Sequence, residues 1–290
     1  MGILLGLLTA LSWGGSDFLA RFATHRIGAL RTMLYMQVSG FILLTIALPW
    51  LGGWGHLADG SGWHPWAWGA LAGGLNFFAS LTLYRSFEIG KLSIVAPISA
   101  SYPVLTVLLS VLGGEHLSIA RAVGIVFTML GVVFVAGGEK PPEDHDAEGL
   151  QRAGKGIALA LSSAVGFGFL FWLLGTRVVP ITGATQTVWL IRLTSSVLTT
   201  LLILAARQPI KPPTDRVAGW IFAMGLTDTG AFIMNDLGMR IEQVAVVSVL
   251  ASLYGAVTVA LAAIFLREHV SRWQWLGIIS IFAGIFLISR

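Results

Sequence analysis

The sequence predicts an all-α membrane protein of ten transmembrane helices, arranged as two five-helix repeats of opposite orientation. Three observations predict it. Of 290 residues, 56% are hydrophobic and only 11% charged, where a soluble domain carries about 25% charged. The apolar residues come in runs of roughly 20 without the polar stripe of a surface helix, and about 20 residues of helix cross a hydrocarbon core. The chain also repeats itself at about half its length. "GGEHLSIARAVGIVFTMLGVV" from Gly113 returns as "LREHVSRWQWLGIISIFAGIF" from Leu266, pairing Glu115 with Glu268, His116 with His269, Ser118 with Ser271, Gly124 with Gly277 and Gly131 with Gly284 at an offset of 153.

Taken in order, apolar runs between charged or Gly/Pro-rich breaks place spans in the first half near 2–22, 30–50, 65–86, 92–112 and 118–137. The first has no basic leader, and "LARFATHR" after it offers no small-x-small cleavage site, so it reads as a helix of the fold. Trp50, Trp54, Trp63, Trp66 and Trp68 crowd the approach to the third, as interfacial anchors do. The fourth contains "APISASYPV", where Pro97 and Pro103 free backbone carbonyls in mid-helix. Ser118 stands where the fifth needs an N-cap. Residues 138–154, rich in acids and Pro, read as a solvated linker without a fold of its own.

The second half supplies spans near 155–176, 182–206, 216–239, 243–266 and 271–289. Its tenth opens on Ser271 with Gln274 three residues on, a capping box. The paired glycines, seven apart, lie on nearly one face where helices can approach closely, so the opening repeat reads as scaffold. The halves align elsewhere too: "GILLGLLTALSWG" from Gly2 with "GIALALSSAVGFG" from Gly156, and "IGALRT" from Ile27 with "TGATQT" from Thr182. The chain therefore divides into 1–137, the linker 138–154, and 155–290. Five spans per half is an odd number, so the halves enter the membrane in opposite directions around an axis in its plane.

Composition excludes several classes. The net charge of +4 comes from Lys and Arg placed singly in loops, a topology signal, with no patch that would bind nucleic acid. Cysteine is absent, which removes disulfides and thiolate metal sites. All six histidines, His25, His56, His64, His116, His145 and His269, fall in loops or at span ends, and neither HExxH nor GxSxG occurs. Intramembrane catalysis is poorly supplied, so the chain reads as no enzyme, with no cofactor and no metal. A channel would show a repeated filter or charged ring, and neither is visible. No Walker A sequence is present, so the chain itself does not hydrolyse ATP.

The half-repeats resemble the drug/metabolite transporter superfamily, in particular its EamA-type permeases. The resemblance rests on the run G-E-x8-G-x6-G-V, present as Gly114, Glu115, Gly124, Gly131 and Val132, and on an aromatic-Gly pair in the first helix of each half, Trp13-Gly14 and Phe167-Gly168. The second copy departs at Arg267 and Ile285. Family members commonly carry an Arg in the second and seventh helices; Arg192 fills one such place and Gln37 stands in the other. The resemblance implies a ten-helix permease with a central cavity between its halves, exporting a small metabolite from the cell across the plasma (inner) membrane. It implies spans four and nine as lining helices. Its partners would be a small-molecule substrate and the bilayer, with a proton as a possible coupling ion; the oligomeric state is not specified by the sequence. A non-transporting scaffold is the alternative. The positive residues of the loops divide 13 against 4, which by the positive-inside rule puts both termini outside, opposite to the family's usual drawing.

An ionisable side chain near mid-bilayer costs at least about 2.5 kcal/mol, so each needs a reason. Asp228 in span eight and Arg192 in span seven can neutralise each other, either as a lock between helices or with Asp228 facing the cavity to bind a substrate ammonium or a coupling proton. Asn76 and Gln37 take roughly the corresponding places in the first half, and Asn76 is expected, with Asp17 and Asp228, among the substrate-binding residues. Asp17 lies four residues from Arg21, an i,i+4 pair by default. Yet Thr9, Trp13 and Asp17 form one stripe, answered by Ser163, Phe167 and Phe171, which makes Trp13 and Phe167 cavity walls. Tyr102 from the proline-kinked span four, and Ser248, Ser252 and Tyr254 from span nine, which has no proline there, complete the site, Tyr102 and Tyr254 as binding residues. Asp17 and Asp228 are expected at different depths, which speaks against a carboxylate dyad. The aromatic supply points to an amino acid or similar amphipathic compound.

Overall fold

The computed structural model describes residues 1–90, 92–137, 147–266 and 272–288, and among them every regular element is helical. The first half runs α1 (Gly2–Ile27), α2 (Ala29–Ala47), α3 (His64–Ile89), α4 (Leu92–Ser99), α5 (Pro103–Leu112) and α6 (Ile119–Gly137). The second runs α7 (Ala147–Leu173), α8 (Val179–Thr182), α9 (Ala184–Ala205), α10 (Asp215–Ile241), α11 (Val244–Ala251), α12 (Tyr254–Leu266) and α13 (Arg272–Ile288). Among the described residues, six stretches are long and apolar enough to cross a bilayer: Gly2–Ile27, Ala29–Trp50, Gln151–Thr182, Ala184–Ala205, Asp215–Ile241 and Val244–Phe265. Large apolar side chains such as Leu11, Leu201 and Phe282 are more than half exposed on the outer surface, as lipid-facing positions require.

The helix ends follow local chemistry. Gly28 and Gly183, aligned in the two halves, take φ of 82° and 90° ahead of α2 and α9, a region costly for any residue with a Cβ. Ser118 caps α6, its hydroxyl accepting from the Arg121 amide at 3.3 Å. Its repeat partner Ser271 lies outside the described residues, as do Glu268 and His269.

The two predicted lining spans are both broken, at matching places. Pro103 has no amide to give Ser99, and Tyr102 N–H takes that carbonyl at 3.4 Å instead. No proline marks the second break. There the Ser252 hydroxyl donates to the Val249 carbonyl at 2.7 Å and the Leu253 amide bonds three residues back, to Leu250. Side-chain competition for backbone carbonyls does at α11–α12 what proline does at α4–α5.

Counterpart helices pack antiparallel. A methyl at Gly124 would meet the Gly284 carbonyl oxygen at 2.8 Å and one at Gly131 the Gly277 carbonyl oxygen at 2.7 Å, so the repeated glycines of α6 and α13 are each other's contact surface. Gln37 and Thr45 of α2 meet Arg192 and Trp189 of α9 in the same reversed sense. The loop carrying Glu115 and His116 also clamps the α10–α11 turn. Glu115 accepts from the Ala245 amide at 3.3 Å and the His116 carbonyl accepts from Gln243 at 2.7 Å. Half-burial holds the Glu115 carboxyl above its ordinary value.

Two expectations need correction. The last eight residues of the supposed linker, 147–154, belong to α7, and the loop expected around Arg177 is a π-helical turn, Leu174–Val178, leading straight into α8. Trp50, Trp54, Trp63 and Trp66 are all exposed, but Trp54 and Trp66 also pack one side on Trp189, at ring separations of 5.2 and 6.3 Å, and so cap the bundle there.

Candidate functional site

At the middle of the bundle α1, α2, α3, α7, α10 and the two helix breaks enclose one cavity. It is lined by Trp13, Asp17, Met36, Ser80, Leu83, Tyr84, Tyr102, Phe167, Phe171, Asp228, Phe232 and Tyr254. Its walls are a continuous aromatic cluster. Trp13 meets Phe171, Phe232 and Tyr254 at 5.3, 5.1 and 6.1 Å, the last two edge-on, an arrangement the ring quadrupoles favour. Tyr102 and Tyr254, one from each break, stack 6.4 Å apart at 13°. The Tyr102 hydroxyl donates to the Ser248 carbonyl at 2.9 Å, tying α5 to α11 through a carbonyl near the second break. The Tyr254 hydroxyl, equally buried, has no partner among the described residues.

The charged groups lie beside the rings. Arg192, with no exposed surface, donates to Asp228 at 2.5 Å and to the Gln37 oxygen at 2.7 Å, and its guanidinium lies 5.1 Å over the Phe232 ring. Gly40 makes the room: a side chain there would meet Arg192 Cδ and Nε at 3.3 Å. Asp228 therefore has two faces, one on Arg192 and one on the cavity, so the lock and the cavity-facing readings describe the same residue. Asp17 is 7% exposed and has neither hydrogen bond nor ion pair among the described residues. The expected Asp17–Arg21 pair is not formed, and Asp17 shares the cavity with Asp228 rather than lying at another depth.

Of the residues singled out in the sequence, Trp13, Asp17, Tyr102, Phe167, Asp228 and Tyr254 converge on this cavity and Arg192 stands directly behind it. Asn76 does not line it. Its amide donates to Ser195 at 3.0 Å, and Ser195 donates to the Gly73 carbonyl at 3.1 Å, a cross-link between α3 and α9. Ser80, Leu83 and Tyr84 were missed, although they continue the Asn76 face of α3 by one and two turns; Phe232 likewise continues Asp228 on α10. Asp236 was missed as well: it is fully buried, and neither carboxylate oxygen has a well-aligned hydrogen bond among the described residues, the neighbouring Asn235 side chain being the polar group beside it.

The space at the centre is about 30 Å³, enough for one or two waters and far below the ~300 Å³ of a drug-sized site. At that volume the cavity does not hold a drug-sized ligand in this conformation, and one fits only if the surrounding helices move apart. A larger space of about 330 Å³, bordered by Ile98, Pro103, Met129, Leu130 and Leu161, carries no titratable group. Among the described residues no group of three His, Cys, Asp or Glu could hold a metal ion.

Two repeats of apolar helices closing on a polar and aromatic centre define a multi-pass membrane protein of the transporter kind. The chain belongs to the EamA-like transporter family, whose model matches residues 1–137 and again 154–290. An uncharacterized protein of Methanocaldococcus jannaschii is 30% identical over 135 residues, covering 46% of this chain and 95% of that protein. It is thus about as long as one repeat. A solved crystal structure superposes with a TM-score of 0.78 at 19% identity, covering 99% of this chain and 95% of the other; at that identity the likeness concerns the fold.

Proposed function

We propose that this protein is a secondary transporter of the plasma membrane, in which ten spans form two inverted five-helix halves that rock around the central cavity and export a small amphipathic metabolite bearing an amine. The observation that carries the reading is the cavity itself: two carboxylates and seven aromatic rings, drawn from both halves and both helix breaks, around a space too small for a ligand until the bundle opens. A scaffold has no use for Asp17, whose burial without a partner costs stability. Trp13, Phe167, Tyr102 and Tyr254 hold the apolar part of the substrate, and Asp17 and Asp228 its amine. The driving force is the substrate gradient or a proton gradient acting on these acids.

The test loads proteoliposomes with a mixed pool of cellular metabolites and follows, by mass spectrometry, which leave faster than from protein-free liposomes. Selective loss of amine-bearing compounds is expected. Folded protein with no selective loss would overturn the reading in favour of a scaffold.

A further inference from the structure

The charge balance of the cavity narrows what it accepts. Among its lining residues two are acidic, none is basic, and seven carry aromatic rings. The nearby cation, Arg192, is not among the lining residues: it is fully buried, its two terminal nitrogens hold Gln37 and Asp228, Phe232 covers one side, and only its Nε lacks a partner among the described residues. Asp228 and Arg192 together sum to zero. What remains facing the cavity is the carboxyl group of Asp17, an acid without a cation of its own, set among π faces that themselves attract cations. The unpartnered Tyr254 hydroxyl, 4% exposed, adds one polar contact that reads no charge. An amino acid would bring a carboxylate for which the lining has no cation, and would place it beside the Asp17 acid.

We infer that the site takes a monovalent organic cation, an arylalkyl- or alkylammonium without a carboxylate, in preference to a zwitterionic amino acid. This rests on the transport reading above and replaces its broader substrate class. Asp17 pairs with the ammonium, the rings of Trp13, Tyr102 and Tyr254 surround its alkyl groups, and Phe167 and Phe171 take the aryl end.

The test uses two compounds sharing a phenethyl skeleton, trimethylphenethylammonium, whose charge is permanent, and phenylalanine. Proteoliposomes of the full chain are loaded with both at equal concentration and their release is followed by mass spectrometry. In parallel, each compound's effect on the thermal midpoint of the detergent-purified protein is measured, a readout that needs no variant. The cation is expected to leave about ten-fold faster than phenylalanine and alone to raise the midpoint. Asp17→Asn is expected to remove about nine-tenths of that release, and Asp17→Glu to restore part of it. Phenylalanine moving as fast as the cation overturns the inference, and so does failure of both compounds to bind. If both fail while the metabolite pool shows a selective loss, transport stands and the substrate class falls; if the pool shows none, both fall.

Discussion

At the residue scale the ion pair decides most. Removing the Asp228 charge leaves the Arg192 cation buried with no counter-ion and only neutral oxygens, such as that of Gln37, beside it, and an orphaned buried charge costs about 3–5 kcal/mol. Asp228→Asn is therefore expected to lose transport and also to lower the thermal midpoint. The double variant Asp228→Leu/Arg192→Leu removes both charges; it should recover most of the stability and none of the transport. Thermal unfolding and release assays on the same preparations check this, and a double variant that still transports would reduce the pair to a lock. Asp236 gives the opposite sign. Replacing a poorly satisfied buried acid by Leu of similar shape is expected to raise stability by about 1–3 kcal/mol, read as a higher midpoint; a lower one would show that the carboxylate has a function-bearing partner. Asp228 and Arg192 were legible because a charge inside an apolar run demands an explanation. Asp236 was not, because it lies three residues from the expected end of its span, where acids meet headgroups; α10 runs on to Ile241 and the bundle covers it.

At the element scale the broken helices and the glycine seam carry the argument. Tyr102→Phe should cost about 1 kcal/mol through the lost bond to the Ser248 carbonyl, seen in the thermal midpoint. Gly131→Leu cannot be accommodated, because the obstructing atom is backbone, the Gly277 carbonyl at 2.7 Å; about 1–3 kcal/mol of destabilisation is expected. The clamp at Glu115 responds to pH. Burial raises its carboxyl from 4.5, so its contribution is greatest below pH 4.5 and is lost as pH rises through the folded-state value. Glu115→Gln keeps an acceptor for the Ala245 amide, so its midpoint relative to wild type should be higher at pH 7 than at pH 4. The first break could be read from Pro103. The second could not, because a serine bonding its own backbone looks in sequence like any small packing residue.

At the scale of the whole molecule, hydropathy and the repeat of E-H-x-S, Gly and Gly made the helical class and the two related segments readable, since lipid length and close glycine contact leave few alternatives. The cavity was readable only in part. An aromatic stripe such as Trp13–Asp17 looks the same whether it packs or binds, and only the antiparallel meeting of the halves brings Tyr84, Phe171 and Phe232 to the same space. The central claim is that this space is exposed alternately to the two sides of the membrane. The chain has no cysteine, so Ser80→Cys places a single thiol in the cavity wall. The direct measurement is its labelling by a membrane-impermeant thiol reagent applied to one face of proteoliposomes and then, separately, to the other. The account predicts labelling from both faces, slowed by substrate; labelling from one face only, or from neither, would contradict it.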